Sequence, residues 1–494
     1  MRGTGQRALV TAPRLAVAGF LAACLTVVAG GQGGTVSTTT PLTTWFGLVS
    51  PTGYRPGHSW LAGLLLFVGS VTLVVLWLIA LRLSAESTER QMWWIAVGWA
   101  TPFAFGPPLI SKDVYSYVAQ GLMLRHGLNP YQSGVSALVN VHGDHAASLL
   151  SAVDPTWRSV PSPYGPVAMT IEHLAIASSG GNPLGAVIVL RILAVMCVVA
   201  IGRLAVELAD TRRAQVLAMT VLNPLVLLHL VSGAHFEAPM CALLLGALVA
   251  ARRRSWTLAI VLACAAGGVK APAFLAVPAI IVMHSAGWRP ARVPRLLIVR
   301  DVGVAALGVG AMTLLVHDGL GWVRGLDTPG LGYTPFAPAS LIGDLFKPVI
   351  RSASFDDLNT AGRITTLLAA LCIVAYLTFT ARERPLNQTV GYGLLAVALL
   401  GPTIYPWYLL WGVLCLAPAA QGRRRDWLLA ICGVAAVASN TGAPGAVTVV
   451  FDVIAVLVAA VLLWNRRHDW QGAAAIAVRL RLLQLRSRRV QGDL

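Results

Sequence analysis

Long apolar stretches separated by short polar gaps dominate the sequence. A helix that crosses a bilayer needs about 20 mainly apolar residues, and fewer where it is short or kinked. By this criterion the sequence predicts roughly 14 apolar segments, near 13–30, 60–82, 92–110, 183–202, 214–232, 236–250, 256–268, 271–286, 301–316, 363–380, 388–402, 406–420, 427–440 and 446–464. The pairs 256–268 with 271–286 and 388–402 with 406–420 also fit broken or re-entrant segments.

The gaps between these segments alternate in charge. With the N-terminus inside, every second gap is rich in arginine, as in "ARRRSW" and "QGRRRDW", and the gaps between them are poor in basic residues. Cytoplasmic loops carry an excess of Lys and Arg, so we expect both termini in the cytoplasm and two long outer loops, about 111–181 and 317–362. The first apolar stretch also has the form of a cleaved signal peptide, but the alternation favours a retained span. We divide the chain into an N-terminal span and outer loop (1–59), a transmembrane body (60–465) and a basic cytoplasmic tail (466–494).

The composition agrees with this prediction. Of the 494 residues, 56% are hydrophobic and only 12% are charged, whereas soluble domains contain about a quarter charged residues. The net charge of +17 lies largely in the arginine-rich gaps, which favours membrane lipids with anionic headgroups as partners and excludes a nucleic-acid footprint. The seven cysteines lie within apolar runs and form no pair or cluster with histidine, so neither a disulfide framework nor a metal site is indicated.

The start of the first long outer loop carries a candidate catalytic group. Asp113, Tyr117 and Gln120 follow at helical spacing, which predicts a short amphipathic helix at the membrane surface from Asp113 to about Arg125. An acid at the end of an apolar span is a functional candidate. The alternative is that Lys112 and Asp113 only mark the end of the span, with Asp113 as the helix N-cap.

Further polar and aromatic residues fall in other predicted outer gaps. Tyr131 and Tyr164 stand in the turn sequences "NPY" and "PYGP", where an exposed ring would stack on a sugar, although plain turns explain them too. His235 and Glu237 lie between two apolar segments, as functional residues or as a hydrated turn. Lys270 is the one charge in a long apolar run, which suits a cavity for an anionic phosphate or a side chain that snorkels to the surface.

The sequence "GPTIYPWYLLWG" places Tyr405 and Trp407 at one predicted outer span end. An aromatic belt at the membrane interface explains these rings without a ligand. Two prolines, Pro402 and Pro406, bracket the turn, however, and would give it a fixed shape.

Taken together, these runs resemble a known family. "SKDVYSYVAQGLMLRHGLNPY", "SPYGP", "NPLVLLHLVSGAHFEA", "GGVKAPA" and "YPWYLLW" look like the actinobacterial polyprenol-phosphomannose-dependent mannosyltransferases of the MptA/MptB family, which are GT-C glycosyltransferases. The resemblance covers about residues 60–465 and departs from the family pattern at Phe236. It implies an all-α polytopic integral membrane protein of the GT-C type, with about 12–14 transmembrane helices and a long first catalytic outer loop that contains a surface helix.

The resemblance also implies an activity. Mannose would pass from polyprenyl phosphomannose to the α-1,6-mannan of a glycolipid acceptor on the outer side of the plasma membrane, with inversion, and Asp113 would be the general base. Lys270 or Arg125 would stabilise the leaving phosphate. The substrate-binding residues expected are Lys112, Tyr117, Gln120, Arg125, Tyr131, Tyr164, His235, Glu237, Lys270, Tyr405 and Trp407. No cofactor is expected, and a divalent metal is compatible with the chemistry but not supported by a ligand cluster.

Two alternatives stay open at this point. A transporter or flippase of a lipid-linked sugar would also have many spans, although it should carry ionisable residues at span centres. Arg191 is the clearest such residue, and we expect it to snorkel or to pair within the helix bundle. A GT-C enzyme that uses another polyprenyl phosphosugar would fit the same residues.

Overall fold

A computed structural model describes residues 11–32, 42–49, 59–141, 144–286, 293–326, 328, 337–350 and 354–438. Within these ranges the regular elements are all helical, which confirms the all-α prediction. The α-helices are α1 Ala12–Gln32, α2 Ser59–Leu83, α3 Glu89–Phe105, α4 Asp113–Arg125, α5 Asp144–Ala152, α6 Pro166–Ser178, α7 Pro183–Leu208, α8 Arg213–Thr220, α9 Glu237–Arg252, α10 Trp256–Val269, α11 Ala276–Ala286, α12 Val293–Thr313, α13 Pro338–Phe346, α14 Phe355–Phe379, α15 Leu386–Leu400, α16 Leu409–Leu416 and α17 Gly422–Ala438. The last predicted span, 446–464, and the basic tail lie outside the described residues.

Several helices are long and apolar enough to cross a membrane, so the protein is a polytopic membrane protein. In the described part of the chain there are five, in the ranges Ala12–Gln32, Leu61–Leu83, Pro183–Leu208, Arg295–Thr313 and Asp356–Phe379. A sixth arises if the π-helical turn Val226–Ser232 and α9, which meet at 108°, form one broken span. The remaining apolar segments are shorter helices, Trp256–Val269, Ala271–Ser285, Leu386–Leu400 and Pro406–Ala419.

The two pairs of short segments that the sequence allowed to be broken are separated where the backbone leaves the helix. Lys270 has an extended conformation, with φ −148° and ψ 124°, and separates α10 from the short 3-10 helix Ala271–Leu275. Tyr405 is likewise extended, with φ −100° and ψ 138°, and precedes the 3-10 helix Pro406–Tyr408. Both predicted pairs of short segments are therefore interrupted at an extended residue, Lys270 in one and Tyr405 in the other, as in the broken helices of membrane proteins.

The segment that leads to α4 is held by a buried arginine. Arg191 of α7 donates hydrogen bonds to the carbonyl oxygens of Ala104, Gly106 and Ser232, the last at 2.6 Å. Two of these carbonyls belong to the last turn and C-cap of α3, where a cation complements the helix dipole. The Ser232 hydroxyl in turn accepts the Leu109 amide at 3.3 Å. Arg191 thus pairs within the bundle, and its partners are backbone carbonyls at helix ends.

Two glycines bring distant loops together. A Cβ atom at Gly165 would lie 2.2 Å from the Gly268 carbonyl oxygen, a distance that only glycine permits. The Gly165 amide also donates to the Val269 carbonyl at 3.4 Å. Tyr164 directly precedes Gly165, and Lys270 directly follows Val269. The close approach therefore places the "SPYGP" and "GGVK" sequences in one site.

Helix α4 forms over the predicted residues, but its surroundings differ from those of a surface helix. Residues 114–123 are all buried, and α4 packs against α5, α6 and α7. The polar side chains of its predicted exposed face have partners on the covering segments, because Tyr117 meets Tyr164 and Gln120 meets Ser162. The N-cap is Lys112, without a side-chain capping bond, and Asp113 is the first helical residue.

Candidate functional site

Four charged or titratable residues from three separate segments form a chain of contacts. Asp113 at the start of α4 lies 3.5 Å from His235, measured from Oδ2 to Nδ1. The same His235 nitrogen lies 3.7 Å from Glu237 Oε2. Glu237 Oε1 in turn accepts a hydrogen bond from Lys270 Nζ at 2.5 Å. We call these four residues the charged row.

The two carboxylates of the charged row differ in access. The Asp113 side chain is 22% exposed, whereas the Glu237 side chain is fully buried. Glu237 is balanced by Lys270 and by the Trp411 indole N–H, 3.4 Å from Oε1. Among the described residues neither ring nitrogen of His235 has a hydrogen-bond partner. The accessible end of the row is therefore Asp113, and the buried end is an internal ion pair.

Aromatic rings surround the buried ion pair. The Lys270 ammonium lies 4.3 Å from the ring centre of Tyr408, 5.4 Å from that of Trp411 and 5.6 Å from that of Tyr164. These distances allow cation–π attraction, which adds to the ion pair in holding the ammonium. Lys270 is thus neither a snorkelling side chain nor an isolated cation, since Glu237 already neutralises it.

A second aromatic group lies on the other side of the charged row. The Trp407 ring centre is 4.5 Å from that of His235 and 5.0 Å from that of His229. Tyr405 stacks on Trp407 at 4.8 Å with an interplanar angle of 13°. The turn bracketed by Pro402 and Pro406 therefore packs its rings against His235 and the interior of the protein.

Phe236 joins the segment that carries Tyr117 and Tyr164 to the charged row. It stacks on Tyr117 at 4.2 Å and meets Tyr164 edge-on at 5.5 Å. The hydroxyls of these tyrosines lie 3.3 Å apart. Burial raises the pKa of both phenols well above the usual value, and nearby acids add to the effect. Both tyrosines thus stay protonated and serve as neutral hydrogen-bonding groups.

Of the predicted site residues, the structure brings eight together. They are Asp113, Tyr117, Tyr164, His235, Glu237, Lys270, Tyr405 and Trp407.

The other four predicted residues have different surroundings. Lys112 is half-buried at the N-cap of α4, and Arg125 is exposed and lies against Gly181. Tyr131 is buried against Gly321, and no described residue accepts or donates a hydrogen bond at its hydroxyl.

Gln120 belongs to a second polar cluster. Its amide lies 3.0 Å from the Ser162 hydroxyl. With its nitrogen turned toward α6, the amide also donates to both carboxyl oxygens of Glu172, at 3.2 and 3.3 Å. Ser162 accepts the Tyr164 amide at 3.3 Å, so this cluster supports the loop that carries Tyr164. Glu172 is fully buried, and burial raises the pKa of its carboxyl well above 4.5.

Sequence reasoning did not select four residues that contact the charged row or its neighbours. These are His229, Phe236, Tyr408 and Trp411. A signal was present for two of them, because Tyr405, Tyr408 and Trp411 recur every three residues and so share a helical face. His229 lies within an apolar run, and its sequence context gives no sign of its contacts.

The described part of the chain offers no cluster of metal-binding side chains. Within the described ranges no group of three or more His, Cys, Asp or Glu side chains is arranged to hold a metal ion. That the reaction needs no metal stays a prediction. Chemically, the site combines one accessible carboxylate, one buried ion pair and several aromatic faces of the kind that pack on sugar rings.

The fold and the site together define a class: a polytopic, all-helical membrane protein with an acid–histidine–acid–lysine row set among aromatic rings. Comparison with known sequences identifies the family. Residues 16–286 match the N-terminal domain of the alpha-(1->6)-mannopyranosyltransferases, and residues 353–466 match the MptB C-terminal domain. The chain therefore belongs to this MptA/MptB family of glycosyltransferases.

Individual relatives agree with this assignment. The chain is 29% identical to alpha-(1->6)-mannopyranosyltransferase A of Mycobacterium tuberculosis, over 84% of this chain and 82% of the relative. It is 28% identical to a probable alpha-(1->6)-mannopyranosyltransferase of Mycolicibacterium smegmatis, over 82% and 80%. It is 29% identical to alpha-(1->6)-mannopyranosyltransferase B of Corynebacterium glutamicum, over 65% and 58%. No solved structure matches the chain.

Proposed function

We propose that this protein transfers mannose from polyprenyl phosphomannose to the α-1,6-mannan of a glycolipid acceptor on the outer face of the plasma membrane. The mannosyltransferase names of its relatives support the sugar. The aromatic faces of Tyr164, Tyr405 and Trp407 near the charged row suit a sugar that must be oriented. The observation that carries the proposal is the accessibility of Asp113, beside a fully buried Glu237.

In the proposed mechanism Asp113 is the general base. It accepts the proton of the acceptor hydroxyl as that oxygen forms a bond to C1 of mannose. The bond between C1 and the phosphate oxygen breaks on the opposite side, and the polyprenyl phosphate leaves with the electron pair. A single displacement of this kind inverts the configuration at C1 and needs no second carboxylate as a nucleophile.

The remaining charged residues support this step. Lys270 has three N–H groups, and only one is engaged by Glu237, so the ammonium retains donors for the leaving phosphate. Glu237 fixes the position of Lys270 among the rings that enclose it. His235 lies beside the Asp113 carboxylate, with Nδ1 3.5 Å from Oδ2. The proposed division of labour gives proton transfer to Asp113 and charge stabilisation to Lys270.

A transfer assay with purified protein tests the proposal. Polyprenyl phosphomannose and a short synthetic α-1,6-mannoside are incubated with the protein, and the product is examined by mass spectrometry and linkage analysis. We expect extension by one hexose in α-1,6 linkage. Transfer only from another polyprenyl phosphosugar would overturn the donor, and no transfer from any donor would favour a lipid-linked sugar transporter.

Asp113→Asn isolates the role of the base. The change keeps the size of the side chain and removes its basicity, and general-base catalysis contributes about 10²–10⁴-fold to a rate. Asp318→Asn is the matched control, because the Asp318 side chain is 23% exposed and pairs with Arg324 at 3.2 Å instead of with a residue of the charged row. A loss of at least about a hundredfold in Asp113→Asn alone is expected. Equal activities of the two variants would remove Asp113 from the mechanism.

A further inference from the structure

A groove that is separate from the charged row lies between the start of α10 and helix α12. Its volume is about 560 Å³ and its walls are Arg254, Ser255, Trp256, Thr257, Leu258, Val261 and Arg300. Helix α10 separates it from Lys270, and its 14 residues span about 20 Å at 1.5 Å per residue. The groove is therefore at the other end of the helix that leads to the candidate functional site.

The charges at this groove are not balanced. In the run of three arginines that ends α9, Arg252 bonds to Asp210 at 2.7 Å and Arg253 bonds to Glu207 at 2.7 Å. Arg254, which lines the groove, has no acidic partner among the described residues. Its backbone has φ +62°, in the left-handed region. Two of the three arginines are thus neutralised within the protein, and the third is available to an external anion.

The second arginine of the groove is held from behind. Arg300 donates to the Thr257 hydroxyl and lies 3.8 Å from Asp301. Asp301 is fully buried and shares its charge with His284 at 2.5 Å, and the Trp256 ring stacks on His284 at 4.7 Å. The Thr257 hydroxyl and the long contact with Asp301 orient Arg300 without enclosing it, since the Arg300 side chain stays 51% exposed. The groove therefore has two guanidinium groups, those of Arg254 and Arg300, and one neighbouring carboxylate, the buried Asp301.

The groove continues into apolar surface. Leu258 and Val261, one helical turn apart on α10, are 52% and 42% exposed. On α12 the side chains of Leu296 and Val299 are also exposed. A soluble anion would contact the arginines but not this apolar surface. A membrane lipid would contact both, because its charged headgroup is followed by an apolar chain.

We propose that this groove binds an anionic phospholipid, with the headgroup phosphate between Arg254 and Arg300 and an acyl chain along Leu258 and Val261. Guanidinium groups match phosphate oxygens through paired N–H donors. The hydroxyls of Ser255 and Thr257 border the same space and add polar contacts. The arginine-rich gaps are predicted to face the cytoplasm, so the lipid belongs to the inner leaflet.

Native mass spectrometry of the full-length protein tests this site. The protein in detergent is mixed with phosphatidylglycerol or with phosphatidylcholine, and bound lipid is counted. We expect selective retention of phosphatidylglycerol and a loss of about tenfold or more in affinity when Arg254 and Arg300 are both changed to Gln. The matched control is the Arg252→Gln, Arg253→Gln variant, which removes the same charge from paired arginines and should retain the lipid.

The outcomes that overturn the proposal are distinct. Equal losses in the two double variants would mean that general surface charge attracts the lipid, and equal retention of phosphatidylcholine would exclude the phosphate site. Displacement of the lipid by millimolar inorganic phosphate would identify a site for free phosphate instead. Because Arg300 has structural contacts, Arg254→Gln alone provides a variant with the fold intact, and it too should weaken retention several-fold.

A spectroscopic readout locates the lipid independently. Phosphatidylglycerol with brominated chains quenches nearby indoles, and Trp256 lines the groove. The contribution of Trp256 is the difference in quenching between the protein with Trp256 and the Trp256→Phe variant. We expect this difference to be present in the otherwise wild-type protein and to disappear when Arg254→Gln is added to both. A Trp256 contribution that persists unchanged in that variant would contradict binding at this groove.

Discussion

The buried ion pair between Glu237 and Lys270 offers the sharpest test of how the site is built. Its atoms lie 2.5 Å apart, and the Glu237 side chain is fully buried. Three proteins test it: Lys270→Met, Glu237→Gln and the double variant. The first leaves a buried carboxylate with one indole N–H at 3.4 Å and a histidine nitrogen at 3.7 Å. The second leaves an ammonium that still faces three aromatic rings.

The magnitudes follow from these environments. Removing one partner of a buried ion pair costs about 3–5 kcal/mol, because an uncompensated charge remains. We expect Lys270→Met to lie in this range. Glu237→Gln should destabilise the protein less, with a cost of about 1–2 kcal/mol, since cation–π contacts continue to stabilise the ammonium. The double variant buries neither charge and should therefore be more stable than Lys270→Met.

The assay is a double-mutant cycle on the free energy of unfolding. Purified proteins are unfolded with increasing SDS in mixed micelles, and tryptophan fluorescence follows the transition. A coupling energy of about 2–3 kcal/mol is expected for residues in direct contact. If the two single effects simply added in the double variant, the ion pair would carry no coupling and the proposed structure of the charged row would be refuted.

Four further predictions concern other parts of the molecule. Arg191→Met should destabilise the protein by about 3 kcal/mol or more, because three carbonyls lose a charged donor, and Arg191→Lys should restore only part of this in the same SDS assay. Tyr131→Phe should change stability by less than about 1 kcal/mol, since the hydroxyl it removes has no partner among the described residues; a raised KM for the acceptor would instead make Tyr131 a sugar contact. The raised pKa of Glu172 means that the folded state favours the protonated carboxyl, so stability should fall as pH rises above 4.5, and this slope should flatten in Glu172→Gln. Transfer should survive EDTA, because Lys270 retains N–H donors for the leaving phosphate; loss of activity that only a divalent metal restores would contradict this.

Much of the fold was predictable from local patterns. The period and length of the apolar runs predict an all-helical membrane protein, and the helix from Asp113 to Arg125 follows from spacing alone. The sequence left the breaks at Lys270 and Tyr405 as one of two alternatives, because a short apolar segment has the same pattern whether it is a complete span or half of a broken one. The predicted surface position of α4 differs from its buried position, since α4 is covered by α5, α6 and α7, which come later in the chain.

Local sequence patterns are enough to identify the residue types of the candidate site and the segments that carry them. Apolar periodicity depends only on neighbours along the chain, and an acid, a histidine or a lysine within an apolar run is conspicuous wherever the chain folds. Which of these residues come into contact depends on the three-dimensional fold. The approach of Gly165 to Gly268 sets Tyr164 beside Lys270, and the pairing of Lys270 with Glu237 leaves Asp113 as the accessible carboxylate. Such contacts join residues far apart in the chain, so no local pattern contains them.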